Sequence, residues 1–207
     1  KNTGSFSSAT GTLNAVAGAL IPIGFTIRAN SGGTVDPSLW TVTLGGSPAT
    51  LAARSANTTT VQPQAAIFLV TAPASGNLTL DVTTNHSVRS MFAAASVITG
   101  LGGSPLVLGS GGESLGTDLS ALSLPGNLAT QAGDIVWGCL SVLSPTATGL
   151  ACAGADSLPL TMPTGADGSK DHLTGFAVKR AIDAAPTTFN WSWSPASRPA
   201  GAFVQLR

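Results

Sequence analysis

Two stretches of this 207-residue chain loosely repeat one another. Ile67-Phe68-Leu69-Val70, a proline, Leu78-Thr79-Leu80-Asp81-Val82, Arg89 and Phe92 return as Gly175-Phe176-Ala177-Val178, a proline, Thr188-Phe189-Asn190-Trp191, Arg198 and Phe203. Upstream, Ala17-Gly18-Ala19-Leu20-Ile21 is echoed by Ala132-Gly133-Asp134-Ile135-Val136, again ahead of a strand-like run and a Gly/Ser/Thr loop. The repeated units are short apolar runs closed by turn residues. A chain built this way is constrained to two copies of one set of strands, and neither copy brings a catalytic motif with it.

Helical periodicity is absent. Runs rich in Val, Ile, Thr and Phe alternate with Gly/Pro/Asn/Ser clusters at intervals of about 8–12 residues, the spacing of sandwich strands. Strands are expected at 20–28, 40–44, 50–53, 64–71, 78–83, 91–98, 135–143, 173–180, 188–193 and 201–205. In Leu78-Thr79-Leu80-Asp81-Val82 the apolar residues share one face, because successive side chains of a strand point to opposite sides. Phe189, Trp191 and Trp193 repeat that pattern with aromatics and are expected in the core. The expected fold is all-β: one antiparallel, jelly-roll-like β-sandwich of about ten strands spanning 1–207. It is built from two loosely repeated halves, each giving strands to both sheets. Residues 1–12 are expected as a flexible arm that orders on a neighbour, and 101–127 as a crossover segment between the halves that holds edge strands or packed segments.

Charge narrows the function. Nine basic residues balance nine acidic ones and together make 9% of the chain, against about 25% in an average soluble domain. No run of either sign offers a footprint for nucleic acid or anionic lipid, so neither is an expected partner. No uninterrupted apolar stretch reaches the ~18 residues of a membrane span, and residues 1–12 lack the apolar core of a signal peptide. The chain begins without Met, which is consistent with processing. A surface so poor in charge is best covered by neighbours, so homo-oligomeric assembly is expected.

The chemistry-bearing residues are few and scattered. Cys139 and Cys152 flank the turn sequence Ser144-Pro145-Thr146-Ala147; a hairpin there would set them opposite each other for a disulfide, while two free buried thiols are the other outcome. His86 and His172 sit in polar surroundings and are read as loop histidines, and two His with two Cys match no zinc spacing. Thr164 to Asp171 is read as a solvated hairpin tip, since it lacks the distant Glu of an EF-hand. Gly109-Ser110-Gly111-Gly112 lacks the Lys-Ser/Thr of a phosphate loop, and no G-x-S-x-G elbow occurs. Glu113 and the Asp residues, such as Asp36 and Asp156 in turn contexts, form no evident glycosidase pair. No catalytic, cofactor-binding or metal-binding residue is therefore assigned, no cofactor is expected, and the chain is read as a non-enzyme. Four N-x-S/T matches, at Asn57, Asn77, Asn85 and Asn190, carry no weight in a chain so rich in Ser and Thr.

Several segments follow one another in a familiar order: Trp40-Thr41-Val42-Thr43-Leu44-Gly45-Gly46; Ile67-Phe68-Leu69-Val70-Thr71-Ala72-Pro73 leading to Leu78-Thr79-Leu80-Asp81-Val82; Ala93-Ala94-Ala95-Ser96-Val97-Ile98-Thr99-Gly100-Leu101; and the ending from Trp191-Ser192-Trp193-Ser194 to Ala202-Phe203-Val204-Gln205-Leu206. This patterning resembles the single-domain jelly-roll-like sandwiches of tailed-phage virion proteins and of some secreted bacterial proteins. The resemblance implies a structural protein at the virion surface, as a head decoration, spike or fibre-associated protein. Its partners would be further copies of itself and capsid or tail components. The alternative it implies is an extracellular or fibre-borne module that binds host surface glycan, for which Trp40, at a strand entrance, would supply an exposed ring; Trp137, inside an apolar run, is read as core.

Overall fold

The computed structural model describes residues 2–29, 35–55, 63–101, 107–114, 117–143, 148–156 and 172–207. These form strands β1 (Asn2–Ala15), β2 (Leu20–Ala29), β3 (Thr41–Leu44), β4 (Ser47–Pro48), β5 (Thr50–Arg54), β6 (Pro63–Thr71), β7 (Gly76–Ala95), β8 (Val107–Ser114), β9 (Leu119–Ala129), β10 (Ile135–Leu143), β11 (Thr148–Ala153), β12 (Leu173–Arg180) and β13 (Pro186–Leu206), with one 3-10 turn at Pro37–Leu39. Every pairing is antiparallel. The fold is an all-β sandwich of two antiparallel sheets. One runs β4-β3-β7-β2-β6-β5 with β1 on β7; the other runs β11-β13-β10-β12 with β8 and β9 on β13.

The repeat is structural. β2 lies between β6 and β7, and β10 lies in the same way between β12 and β13. Each of these central strands is entered through the same turn. Ala19 N donates to Val16 O at 3.0 Å in one copy, and Asp134 N to Gln131 O at 3.0 Å in the other. Gly18 and Gly133, third in their turns, take φ of +76° and +95°, a region that glycine enters without the Cβ clash. The neighbouring bonds match as well: Gly18 N to Ala72 O and Ala72 N to Ala19 O (both 2.9 Å), against Gly133 N to Ala181 O and Ala181 N to Asp134 O (both 2.8 Å).

The register differs from the sequence reading. Leu20 pairs with Thr71 and Ile135 with Arg180, which sets Ile67 against Phe176 rather than Gly175. A one-residue slip matters, since it would turn every side chain of the strand to the other face. Phe92 and Phe203 are likewise not counterparts, because Phe92 pairs with Thr26 and Phe203 with Gly138.

Three further expectations are corrected. All described strands of the first half belong to the first sheet and all of the second half to the second, so each half is a sheet rather than a contributor to both. Residues 2–12, expected as an arm, lie in β1 and pair along β7. Within 101–127, β8 and the start of β9 run along β13 as edge strands of the second sheet. The expected strands 78–83 and 91–98 are largely one long strand, β7, just as 188–193 and 201–205 are one strand, β13. Both bend where the sequence carries turn chemistry, Thr84-Asn85-His86-Ser87 and Ser194-Pro195-Ala196-Ser197. Irregular register in the strands alongside marks both bends.

The bends let each sheet curl around its own core. Ile21, Ile23, Phe25 and Ile27 of β2 meet Val42, Leu44, Phe68, Val70 and Val82. Val136, Leu140 and Val142 of β10 meet Leu122, Leu124, Phe189, Trp191 and Trp193. The opposite faces of the same central strands form a third cluster, with Ala65, Ile67, Trp137, Cys139, Phe176, Ala202 and Val204. β2 and β10 are therefore buried on both sides, which explains why they read as continuous apolar runs. Each large buried side chain contributes about 1.5–3 kcal/mol relative to exposure.

The two copies meet through equivalent faces. Trp137 lies over Gly24, where any Cβ would enter the indole ring; Cys139 Sγ lies 4.0 Å from Phe25 O, and Ser141 Oγ 3.5 Å from Ile27 O. Ascending residues of β10 thus meet ascending residues of β2, so the strands run the same way across the interface. Same face against same face with parallel strands is the geometry of a twofold axis along the strands. The chain is a pseudo-dimer of its own halves.

Candidate functional site

Between the copies lies a polar seam. His172, just before β12, is completely buried, with Nδ1 2.9 Å from Ser90 Oγ, Nε2 3.3 Å from Thr26 Oγ1 and its ring edge-on to Phe92. The hydroxyls of Thr26 and Thr174 are 2.5 Å apart. The sequence reading placed His172 on a polar loop; the structure instead uses it to join β7 and β2 of one copy to β12 of the other. Its polar neighbours Lys170 and Asp171 misled, because the strand begins directly after it. His86 is exposed, in the bend of β7.

Three aspartates hold loops. Asp36 caps the 3-10 turn, its Oδ1 accepting from Ser38 N (2.9 Å) and Ser38 Oγ (2.7 Å) and pairing with Arg54. Partial burial raises its pKa, but the Ser38 hydrogen bonds and Arg54 outweigh that and leave it below the ordinary carboxylate value. Asp134, fully buried, accepts from Arg207 Nε (2.6 Å) and Arg207 NH2 (2.8 Å), from Gln131 N (2.8 Å) and from Gln205 Nε2 (2.7 Å). The Arg207 bonds, helped by those of Gln131 and Gln205, overcome the cost of burial and bring Asp134 down to about 2. Asp156 accepts from Lys179 Nζ and Arg180 N at 2.8 and 2.7 Å, and is lowered chiefly by Lys179. Each carboxylate is spent on positioning backbone.

The thiols are free, Cys139 buried and Cys152 half-buried, and burial pushes both up to about 12. The hairpin that would have set them face to face does not form: β11 pairs with β13 rather than β10. Both therefore lack the thiolate character that makes cysteine reactive. Trp40 is also corrected. It is buried, stacked on Phe68 with rings 6.2 Å apart and edge-on to Phe25, and its Nε1 donates to Asn85 Oδ1 at 3.2 Å. Trp137, Trp191 and Trp193 are buried as expected.

Within Gly109-Ser110-Gly111-Gly112, Gly112 has a packing role. A Cβ on Gly112 would strike the carbonyl oxygens of Arg54 and Gly201, so the glycine lets β8 lie directly on β5. That contact closes one side of the sandwich. Residues Thr164 to Asp171, the expected hairpin tip, and the side chain of Glu113 lie outside the described residues. Among the described residues no group of three or more His, Cys, Asp or Glu is placed to hold a metal, and no helix is long and apolar enough to cross a membrane.

The chain matches no family model, no curated protein and no solved structure. Function must therefore be argued from surface and packing. Three surface hollows are lined without ionisable side chains: about 200 Å³ beside Ala9–Thr12, about 350 Å³ between Val16–Leu20 and Ile98–Leu101, and about 680 Å³ between Ser47–Ala52 and Leu69–Thr71. What they offer a partner is aliphatic surface, hydroxyls and main chain.

Proposed function

We propose that this chain is a non-enzymatic virion structural protein, a head decoration, spike or fibre-associated component that acts by self-association and by docking on a particle. One observation carries the reading: among the described residues, Asp36, Asp134, Asp156, His172 and Cys139 are committed to holding loops and the two copies in place. Asp36, Asp134 and Asp156 fix loops, His172 and the thiols are packed between or within the copies, and three surface hollows present hydroxyls with no ionisable side chain beside them to activate one. The charge-poor composition supports assembly over life as a free monomer. The glycan-binding alternative depends on exposed tryptophan, and the burial of all four weighs against it.

The test is to raise an antibody to the chain and image immunogold-labelled lysates by electron microscopy. Label on phage-like heads or tails is the expected result. Label confined to cell surfaces or free material would sink the virion reading and bring forward a secreted adhesive module.

A further inference from the structure

We propose that the outer edge of β1 is a strand-pairing site for β1 of a second copy, joining two molecules through an antiparallel pair centred on Gly11. This rests on the self-association reading and names its surface.

The direction of the main-chain groups comes first. Thr79 of β7 gives its carbonyl to Gly45 N at 2.7 Å, on the β3 side. In an antiparallel ladder, opposed residues exchange both bonds or neither. Thr12, opposite Thr79, therefore turns its N–H and C=O away from β7, and alternation does the same for Ser8, Thr10 and Asn14. Among the described residues β1 pairs with β7 alone. Residues 8–15 keep a regular register and contain no proline and no charge, the devices that usually blunt an edge.

The two copies of the repeat then differ at this spot. β13 carries β9 along Pro186–Ser197 and β8 along Ala200–Leu206. On β7, β1 reaches only to Met91, no described strand takes the place of β8, and beside the end of β1's pairing lies a hollow of about 200 Å³ lined by Ala9–Thr12, Phe25, Leu80, Val82, Met91 and Ala93. Gly11 borders it, and a Cβ there would meet nothing within 4 Å. Glycine within a strand costs about 0.5–1 kcal/mol and often marks the close approach of another backbone. Nothing in the described fold makes that approach.

A second β1 supplies it. With Gly11 opposite its own counterpart, Thr10 faces the partner's Thr12 and Ser8 the partner's Asn14, so each outward donor meets an acceptor and no charges are opposed. The two glycines form a non-hydrogen-bonded pair at the closer spacing of ~4.5 Å. The partner's Leu13 comes opposite Ala9, at the mouth of the hollow.

Sedimentation equilibrium on the full chain tests this. Thr12→Pro removes an outward N–H without touching the β1–β7 ladder, and it is expected to weaken dimerisation about tenfold or more while circular dichroism and Tm hold. If the proline variant does not fold, Ser8→Asp/Asn14→Asp, at exposed positions opposite Thr83 and Asn77 within the molecule, sets like charges directly across the proposed edge and is expected to do the same. Gly11→Cys is expected to give a covalent dimer on mild oxidation, seen by non-reducing electrophoresis. Self-association that is unchanged in a folded edge variant overturns this site while leaving the assembly reading intact. A wild-type chain that is monomeric at every concentration overturns both, and a missing cross-link overturns the axis at Gly11.

Discussion

The two halves share a plan and have parted in detail. Their central strands, entry turns and flanking pairings superpose in sequence order, yet the residues at matched places differ: Gly24 stands where Cys139 does, Pro22 where Trp137 does, Ala19 where Asp134 does. What is preserved is the hydrogen-bond frame. What has drifted is the filling between frames, where a bulky group on one copy is answered by a small one on the other.

The comparison is broken most directly at its contact face. Trp137→Ala removes the ring seated on Gly24 while leaving both inner cores intact, and it is expected to cost about 3–5 kcal/mol. Guanidinium unfolding by fluorescence and circular dichroism should still show one transition. Two separated transitions, or a loss below about 1 kcal/mol, would mean that the copies are held together elsewhere.

The seam gives a smaller, paired effect. Thr26→Val strands the buried Thr174 hydroxyl and takes a partner from His172, and is expected to cost about 1–3 kcal/mol; Thr174→Val leaves Thr26 its contact with His172 and is expected to cost less, with the double variant costing less than the sum. Additive losses in that double-mutant cycle would show that the 2.5 Å contact holds nothing.

Asp134 sharpens the difference between the entry turns, because its first-half counterpart is Ala19. Its folded pKa of about 2 lies below the ordinary 3.8, so the ionised form is favoured by folding. Its contribution is therefore present above about pH 4 and fades as the pH falls toward 2. Asp134→Ala is expected to lose stability at neutral pH and to flatten that part of the pH–Tm curve; an unchanged curve would remove Asp134 from the account.

Least disturbing is a thiol titration. With both thiols raised to about 12, the folded protein at pH 8 is expected to react slowly with an aromatic disulfide, Cys139 only on unfolding. Rapid labelling of Cys139 in native buffer would show that the halves part readily.

Much of the fold was legible in the chain. The bounds of β10 and β12 were readable as 135–143 and 173–180 because β-branched and aromatic runs end there in turn residues. The bends in β7 and β13 were not, since Asn-His-Ser and Ser-Pro-Ala-Ser spell a break whether the chain reverses or only swerves. The strand character of β1 was hidden by Gly-Ser-Phe-Ser-Ser-Ala-Thr-Gly, which lacks the usual bulk; its pairing with β7 decides the matter. Trp40 misled for a related reason: the Asp36-Pro37-Ser38 turn looks like a surface entrance, but the turn tucks the ring inward onto Phe68. His172 was beyond reach, since a seam between two copies exists only after they have packed.

The meeting of Trp137 with Gly24 has a consequence for how such a molecule can change over time. Two separate, identical subunits must carry the same residue on both sides of their axis, so a knob on one is a knob on both. Joined in one polypeptide, the sides are freed from that rule and can specialise like the partners of a heterodimer, in a fixed ratio of one to one. Dilution cannot separate them, because the tether holds each at a high effective concentration beside the other.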